Sequence, residues 1–194
     1  MKKIHPSNPD ADPVAAQLTR YEPWLRLIAT WEIDSRLGQK FSASDVVQQT
    51  MLEAWKDWDN FEGDHEAQRR VWLRRILAHQ LAHFARHYAG TQKRDIAREQ
   101  MIDASLAKSS MRLEVLIAAD QSSPSQQAVY NEQSLRLARA LQELPDDYRQ
   151  VIQLRNVEDL SHEEVARRMN RTAGAVRMLW VRALAALKTQ VELE

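Results

Sequence analysis

The sequence predicts an all-α fold made of two small helical domains joined by a linker. Apolar residues recur every three or four positions along most of the chain, and no stretch alternates convincingly with period two. Only 4 of the 194 residues are Gly and 6 are Pro, which argues against a turn-rich β-sandwich or barrel. Apolar residues make up 44% and charged residues 28%, an ordinary composition for a globular protein.

The first domain is predicted over 13–102, after a polar and flexible terminus at 1–12. An apolar stripe from Pro13 to about Asp34 predicts a helix that Pro23 kinks or divides. Ser44-Asp45 can cap a second helix that runs to about Trp58. Its apolar positions are Val46, Val47, Met51, Leu52 and Trp55. A polar loop then leads into a long helix over about 69–89.

The linker is predicted at 103–127, where Ser, Gln and Asp dominate and an apolar patch at 113–119 can form a short docking helix. Helices follow at about 125–143 and 146–156, and the second domain is predicted over 128–190. The chain is neutral overall, with 27 basic and 27 acidic residues, but 61–100 carries a net +3 and 161–190 a net +4. Two basic segments indicate a footprint for DNA, and solvated helix faces are the alternative.

A helix-turn-helix is the most specific pattern, at 160–188. Ser161 and Glu164 have the spacing of a capping box, and Ala166 is small enough for two helices to touch. Asn170 suits a left-handed turn, and Thr172 can cap the next helix. The predicted buried stripe of that helix is Val176, Trp180, Ala183, Leu184 and Leu187. Its outward face would then meet DNA in the major groove, although an αα-hairpin with a solvated basic face has a similar pattern.

These segments together resemble the bacterial sigma-70 family, in its extracytoplasmic-function (ECF) subfamily. Residues 144–154, 160–166 and 174–177 look like sigma region 4. Residues 45–55 resemble the polymerase-binding helix of region 2, and 61–64 with 72–76 resemble the loop and helix that read the −10 element. The resemblance implies a promoter-recognition subunit that binds promoter DNA and the clamp helices and flap of core RNA polymerase. An anti-sigma factor is left open as a further partner.

The resemblance also implies roles for particular residues. The polymerase-binding residues would be Asp45, Gln48, Gln49 and Glu53. The −10 residues would be Phe61, Arg74, Arg75, His79, His83 and Arg86. The −35 residues would be Thr172, Arg177, Met178, Val181 and Arg182. Trp58 and Phe61 are candidates to hold an unstacked base, whereas core packing is the default for Trp55, Trp58, Trp72 and Trp180.

Three departures from the family pattern stand out. Met178-Leu179 replace a common Ser-Arg pair, His79 and His83 replace a common Asn and Asp, and Gln49 replaces a common acidic residue. The contacts made at Met178 and Leu179 therefore differ from those usual in the family.

Two other functions are weighed against this one. An ordinary helix-turn-helix regulator would bind duplex DNA without being a polymerase subunit. A helical metalloenzyme would use His79, His83 and His87, but these span about 12 Å along one helix, too far for one ion. We therefore expect no enzyme activity, metal or cofactor. The absence of Cys and of any apolar run near membrane length predicts a cytoplasmic protein with no membrane association.

Overall fold

The structure is a computed structural model that describes residues 12–37, 41–63, 65–89, 96–118 and 127–193. Helices dominate these ranges, which contain no strand, so the all-α prediction is confirmed. The chain divides into two compact units, Met1–Ala107 and Lys108–Glu194. Within the described ranges, no helix is both long and apolar enough to cross a bilayer.

The first unit is built mainly from four helices: α1 (Pro13–Thr19), α2 (Glu22–Glu32), α3 (Ala43–Lys56) and α4 (Glu66–Ala89). The predicted stripe after Pro13 is indeed divided, because Pro23 lies in the first turn of α2, where its missing N–H costs no hydrogen bond. Helices α2, α3 and α4 enclose the core. Its fully buried side chains include Tyr21, Trp24, Leu25, Ile28, Val46, Leu73, Leu77 and Leu81.

The start of α3 differs from its prediction. Ser42, not Ser44-Asp45, is the N-cap, and its Oγ accepts a hydrogen bond from the Ser44 N–H at 3.1 Å. The predicted flexible terminus at 1–12 lies outside the described residues except for Asp12. Asp12 is buried, caps α1 through the Val14 N–H at 2.8 Å, and accepts a hydrogen bond from Trp55 Nε1 at 2.6 Å.

Helix α5 (Ile96–Ala118) occupies the described part of the predicted linker. The sequence assigned a helix only to the apolar patch of this linker, whereas all of 103–118 belongs to one continuous helix. Its polar side chains have partners: Asp103 Oδ1 lies 2.9 Å from Arg74 Nε, and Ser105 Oγ donates to Glu32 Oε2 at 2.5 Å. Residues 119–126 of that prediction lie outside the described residues.

The second unit contains α6 (Gln127–Glu143), α7 (Asp146–Ile152), α8 (His162–Arg168) and α9 (Ala173–Leu193). A π-helical turn, Gln153–Val157, extends α7, so the helices predicted at 125–143 and 146–156 are confirmed. Arg149 Nη1 fixes the corner before α7 by donating to the carbonyls of Gln142 and Leu144, both at 2.7 Å. The core of this unit includes Leu135, Leu141, Ile152, Val165, Val176 and Leu187.

Candidate nucleic-acid interface

Three partly exposed aromatic rings lie close together between the end of α3 and the first turns of α4. We call Trp58, Phe61 and Trp72 the aromatic cluster. The Phe61 and Trp72 ring centroids are 4.8 Å apart, and Trp58 lies 6.1 Å from Trp72 and 6.3 Å from Phe61. Trp58 belongs to a single 3₁₀ turn, Trp58–Asn60, and Trp72 lies on α4. Core packing was the default expectation for Trp58 and Trp72, but both side chains are only partly buried.

Gly63 allows the Phe61 ring to fold back over the loop. A Cβ added at position 63 would lie 2.2 Å from Phe61 Cζ, well inside van der Waals contact. The guanidinium carbon of Arg69 lies 5.3 Å from the Trp58 ring centroid and 5.9 Å from that of Phe61, within the range of a cation–π contact. The cluster is thus packed against a glycine below and a cation beside it.

An open cavity of about 480 Å³ adjoins this cluster. Its walls combine aromatic and small apolar side chains with a carboxylate, an amide and a guanidinium. The lining residues are Phe61, Glu62, Gly63, Ala67, Gln68, Val71, Trp72 and Arg75. Ring faces stack on planar groups, and polar side chains can bond to their edges, so the cavity suits an unpaired nucleobase.

One face of α4 continues from the cavity with basic and imidazole side chains. Arg75, His79 and His83 follow one another at four-residue intervals; Arg75 and His83 are exposed, and Arg86 one turn on is half-buried. His79 Nδ1 lies 4.0 Å from Glu53 Oε1. Arg74 differs, because only 17% of its side chain is exposed and it is paired with Asp103.

The outer face of α3 combines polar side chains with one exposed leucine. Asp45, Gln48 and Gln49 are all exposed. Leu52, one of the apolar positions named from the sequence, is 43% exposed on this face. Glu53 points toward α4, where its carboxylate accepts a hydrogen bond from Gln80 Nε2.

The helix-turn-helix has the predicted local chemistry. Ser161 N donates to Glu164 Oε2 at 2.7 Å and Glu164 N donates to Ser161 Oγ at 3.2 Å, which completes the capping box. These hydrogen bonds hold the pKa of Glu164 below its ordinary value. Asn170 has a φ of 51°, and Thr172 Oγ1 caps α9 by accepting from the Ala175 N–H at 3.2 Å. The capping box, the turn residue and the cap of α9 are therefore confirmed.

Helix α9 has one buried and one exposed face. Its buried residues are Val176, Leu179, Ala183 and Leu187. The predicted stripe was partly wrong, because Trp180 and Leu184 are only half-buried while Leu179 is buried at 4% exposure. All five residues assigned to −35 recognition are exposed: Thr172, Arg177, Met178, Val181 and Arg182.

Trp180 links α9 to the end of the π-helical turn and to α8. Its Nε1 donates to Asn156 Oδ1 at 3.0 Å, and the His162 ring meets it edge-on at 5.8 Å. Burial lowers the pKa of His162, and the positive charges of Arg155 and Arg177 lower it further. His162 is therefore favoured in its neutral form beside the exposed face of α9.

Sequence reasoning missed three residues of these surfaces. Arg69 was not singled out because its partners, Tyr21, Trp58 and Phe61, are distant or irregular in sequence. Asp103 was missed as the partner of Arg74 because it lay in the supposed linker. Leu52 was missed because helical spacing alone does not separate a core edge from a surface. The one available signal was Gly63, two residues after Phe61, since a glycine allows close approach of another group to the backbone.

Comparison with known proteins agrees with this arrangement. The family model described as Sigma-70 region 2 matches residues 18–93, and that described as Sigma-70, region 4 matches residues 134–187. The ECF RNA polymerase sigma-E factors of Salmonella typhimurium and Escherichia coli K12 are each 30% identical to this chain over 160 residues. Those alignments cover 81% of this chain and 78% of each relative.

More distant proteins also match. The Haemophilus influenzae ECF RNA polymerase sigma-E factor is 27% identical over 149 residues, which cover 76% of this chain and 74% of that protein. The solved flagellar sigma/anti-sigma complex Sigma-28/FlgM is 17% identical, with a TM-score of 0.34, over 93% of this chain and 98% of that one.

A helical region 2 unit and a helix-turn-helix region 4 unit in this order define a sigma-70 family protein. The chain belongs to the ECF subfamily of that family and is an RNA polymerase sigma factor, which binds core polymerase and directs transcription initiation. The alternative of a regulator that acts without polymerase is not favoured, because it leaves the region 2 match unexplained. Sigma factors are not a catalytic family.

Proposed function

We propose that this sigma factor captures an unpaired base of the −10 element in the cavity beside the aromatic cluster. The cavity itself carries the proposal, since it offers Phe61 and Trp72 ring faces together with polar edges. Stacking a base on an aromatic ring contributes about 1–3 kcal/mol. Arg75, His79, His83 and Arg86 would follow the backbone of the same strand, and Arg74 would join them where its ion pair with Asp103 opens.

The outer face of α3 is our candidate for docking on the clamp helices of core polymerase. Asp45, Gln48 and Gln49 supply polar contacts, and Leu52 supplies an exposed apolar side chain among them. Interfaces commonly join an apolar centre to a polar rim. Glu53 takes a supporting role in this proposal, because its contacts with Gln80 and His79 tie α3 to α4.

The exposed face of α9 is our candidate reader of the −35 element. Arg177 and Arg182 can bond to guanine edges or phosphates, and Met178 and Val181 can contact thymine methyl groups. Met178 is 60% exposed and Val181 52% exposed, so both are accessible to a groove. Thr172, at the start of α9, can reach a phosphate.

The remaining assignments follow from family membership. We propose that region 2 occupies 13–102, region 4 occupies 128–190, and the segment 103–127 connects them. The region 4 unit would also contact the polymerase flap. An anti-sigma factor would regulate the protein by covering one of these surfaces, and the site of action would be the cytoplasm.

Run-off transcription with purified bacterial core polymerase tests the docking surface. Asp45→Arg reverses an exposed charge, so we expect it to reduce co-elution with core polymerase about tenfold and to lower transcription in parallel. Glu143→Arg, at an exposed position at the end of α6, is the matched charge reversal and should behave like the wild type. Equal co-elution of both variants and the wild type would remove α3 from the interface.

A further inference from the structure

Arg69 connects the α4 helix to two rings that precede it in the chain. It lies in the first turn of α4, one turn before Trp72. Its guanidinium carbon lies 5.3 Å from the Trp58 ring centroid and 5.9 Å from the Phe61 ring centroid. A cation within about 6 Å of a ring face is attracted to it, so Arg69 favours one arrangement of both rings.

The other side of the guanidinium is anchored in the core. Arg69 Nη1 donates a hydrogen bond to the Tyr21 hydroxyl at 3.4 Å, and Tyr21 is fully buried just before α2. Burial raises the pKa of the Tyr21 hydroxyl more than Arg69 lowers it, so the hydroxyl is neutral near pH 7. Among the described residues, Arg69 has no carboxylate in ion-pair contact, and its Nε has no hydrogen-bond partner.

Among the described residues, the Phe61 ring lies beside Arg69 and the two other rings of the aromatic cluster. Gly63 offers no side chain to hold the Phe61 ring, and the nearest ring is that of Trp72, with its centroid 4.8 Å away. Arg69 thus lies within cation–π distance of both the Trp58 and the Phe61 rings.

We propose that Arg69 is a positioning residue of the cavity beside the aromatic cluster, which we call the −10 pocket. The buried Tyr21 hydroxyl holds the Arg69 guanidinium, and the guanidinium in turn holds the Trp58 and Phe61 rings. This inference rests on the proposed function of the cavity as a base-binding pocket. Arg69 then acts through the rings and not through a contact with DNA. Tyr21, which lies outside the cavity, becomes part of the same device.

The experiment uses holoenzyme assembled from core polymerase and the full chain. The ligand is a single strand that carries the −10 sequence of a promoter transcribed by the wild-type holoenzyme, with 2-aminopurine at each −10 position in turn. The variants are Arg69→Gln, Tyr21→Phe and their double mutant. Arg26→Gln is the matched control, because it also removes a guanidinium from the first unit, where Arg26 pairs with Glu22 on the surface of α2. Phe61→Ala tests the pocket itself.

We expect Arg69→Gln to weaken strand binding about tenfold and to diminish the fluorescence change of the captured base, since two cation–π contacts are lost. Tyr21→Phe should weaken binding about threefold alone and have no further effect when Arg69 is already Gln. Arg26→Gln should match the wild type. The affinity for a duplex that carries only the −35 element should be unchanged in every variant.

Different results distinguish a failure of the pocket assignment from a failure of the positioning role of Arg69. If Phe61→Ala captures the base normally, the pocket assignment itself fails. If Phe61→Ala loses capture but Tyr21→Phe has no effect, or adds fully to Arg69→Gln, the positioning role of Arg69 is wrong. A reduced salt dependence in Arg69→Gln with an unaltered fluorescence change would instead make Arg69 a phosphate contact. Thermal melting identifies any variant that does not fold, and Tyr21→Phe, which removes one oxygen, then remains as the test.

Discussion

Phe61 occupies the space that a side chain at position 63 would need. An added Cβ would lie 2.2 Å from Phe61 Cζ, the far end of a side chain that can rotate. We therefore expect Gly63→Ala to change the free energy of unfolding by about 1 kcal/mol or less, because the ring moves and the backbone does not. Capture of a melted −10 strand should weaken about tenfold, since a stacking surface is displaced. Thermal melting and strand-binding titrations measure the two effects separately.

Gly174 provides the matched control for this substitution. A Cβ added there would meet no atom within 4 Å, and the residue lies in the first turn of α9. Gly174→Ala should stabilise the protein by up to about 1 kcal/mol and leave −10 strand binding unchanged. Equal strand binding by Gly63→Ala and Gly174→Ala would refute the role of the Phe61 position.

The capping box stabilises the second unit less at acid pH than at neutral pH. Glu164 accepts hydrogen bonds while ionised, and its pKa is therefore lower in the folded than in the unfolded chain. Its contribution is present above the unfolded pKa and is lost as the pH falls through the folded pKa. Thermal melting of Glu164→Gln should therefore show a weaker fall in melting temperature in the acid range than the wild type. Parallel curves for the two proteins would contradict this linkage.

The role of a residue could be predicted from the sequence where its partners lie only a few positions away. Ser161, Glu164, Asn170 and Thr172 were assigned correctly, because caps and left-handed turns are formed by residues only a few positions apart. Arg69 was not foreseen, because its anchor Tyr21 is 48 positions away. Such a partnership exists only once α2 and α4 pack together.

The two faces of α9 separate the residues that stabilise the helix from those that we propose to read the −35 element. Removing an outward arginine leaves the buried stripe intact, so Arg177→Ala and Arg182→Ala should fold normally. We expect each to reduce transcription from a −35-dependent promoter about tenfold if it bonds to a base edge. A phosphate contact would instead reduce the salt slope of binding by about 1.

Arg139→Ala is the control for these two variants, because Arg139 is an exposed arginine on α6. Salt titrations of promoter binding distinguish base contacts from phosphate contacts. Wild-type transcription by both Arg177→Ala and Arg182→Ala would exclude α9 as the −35 reader.

Helix α5 shows where composition misleads at the scale of an element. Ser and Asp are frequent in loops because they compete for backbone hydrogen bonds. In α5 these groups face other side chains, since Asp103 pairs with Arg74 and Ser105 donates to Glu32, while Ile102 and Leu106 are buried. The partners of Asp103 and Ser105 come from other helices, so no local pattern could have predicted them.

The charge balance of the whole chain predicts how it behaves on DNA. The molecule is neutral overall, with net charges of only +3 over 61–100 and +4 over 161–190. Sequence-independent affinity grows with the number of phosphates neutralised, so the isolated chain should bind promoter duplex weakly at physiological salt. Added core polymerase should produce a specific complex in which the −10 strands are open.

Gel-shift titrations with and without core polymerase measure this difference, and permanganate footprinting reports the open strands. A duplex of the same length and scrambled sequence is the control. A specific nanomolar complex of the isolated chain that does not respond to core polymerase would contradict the proposed mode of action.

The presence of one buried and one exposed face on α9 has an evolutionary consequence. Val176, Leu179, Ala183 and Leu187 are the buried residues of the helix and Trp180 links it to Asn156, while Arg177, Met178, Val181 and Arg182 are exposed. Exchanges on that face therefore cost little folding free energy, typically about 0.5 kcal/mol or less at an exposed position. If α9 is the −35 reader we propose, a duplicated copy of this protein would diverge toward new promoters while its scaffold stays constant. The same freedom would then make the outward positions a natural library for building sigma factors that ignore each other's promoters.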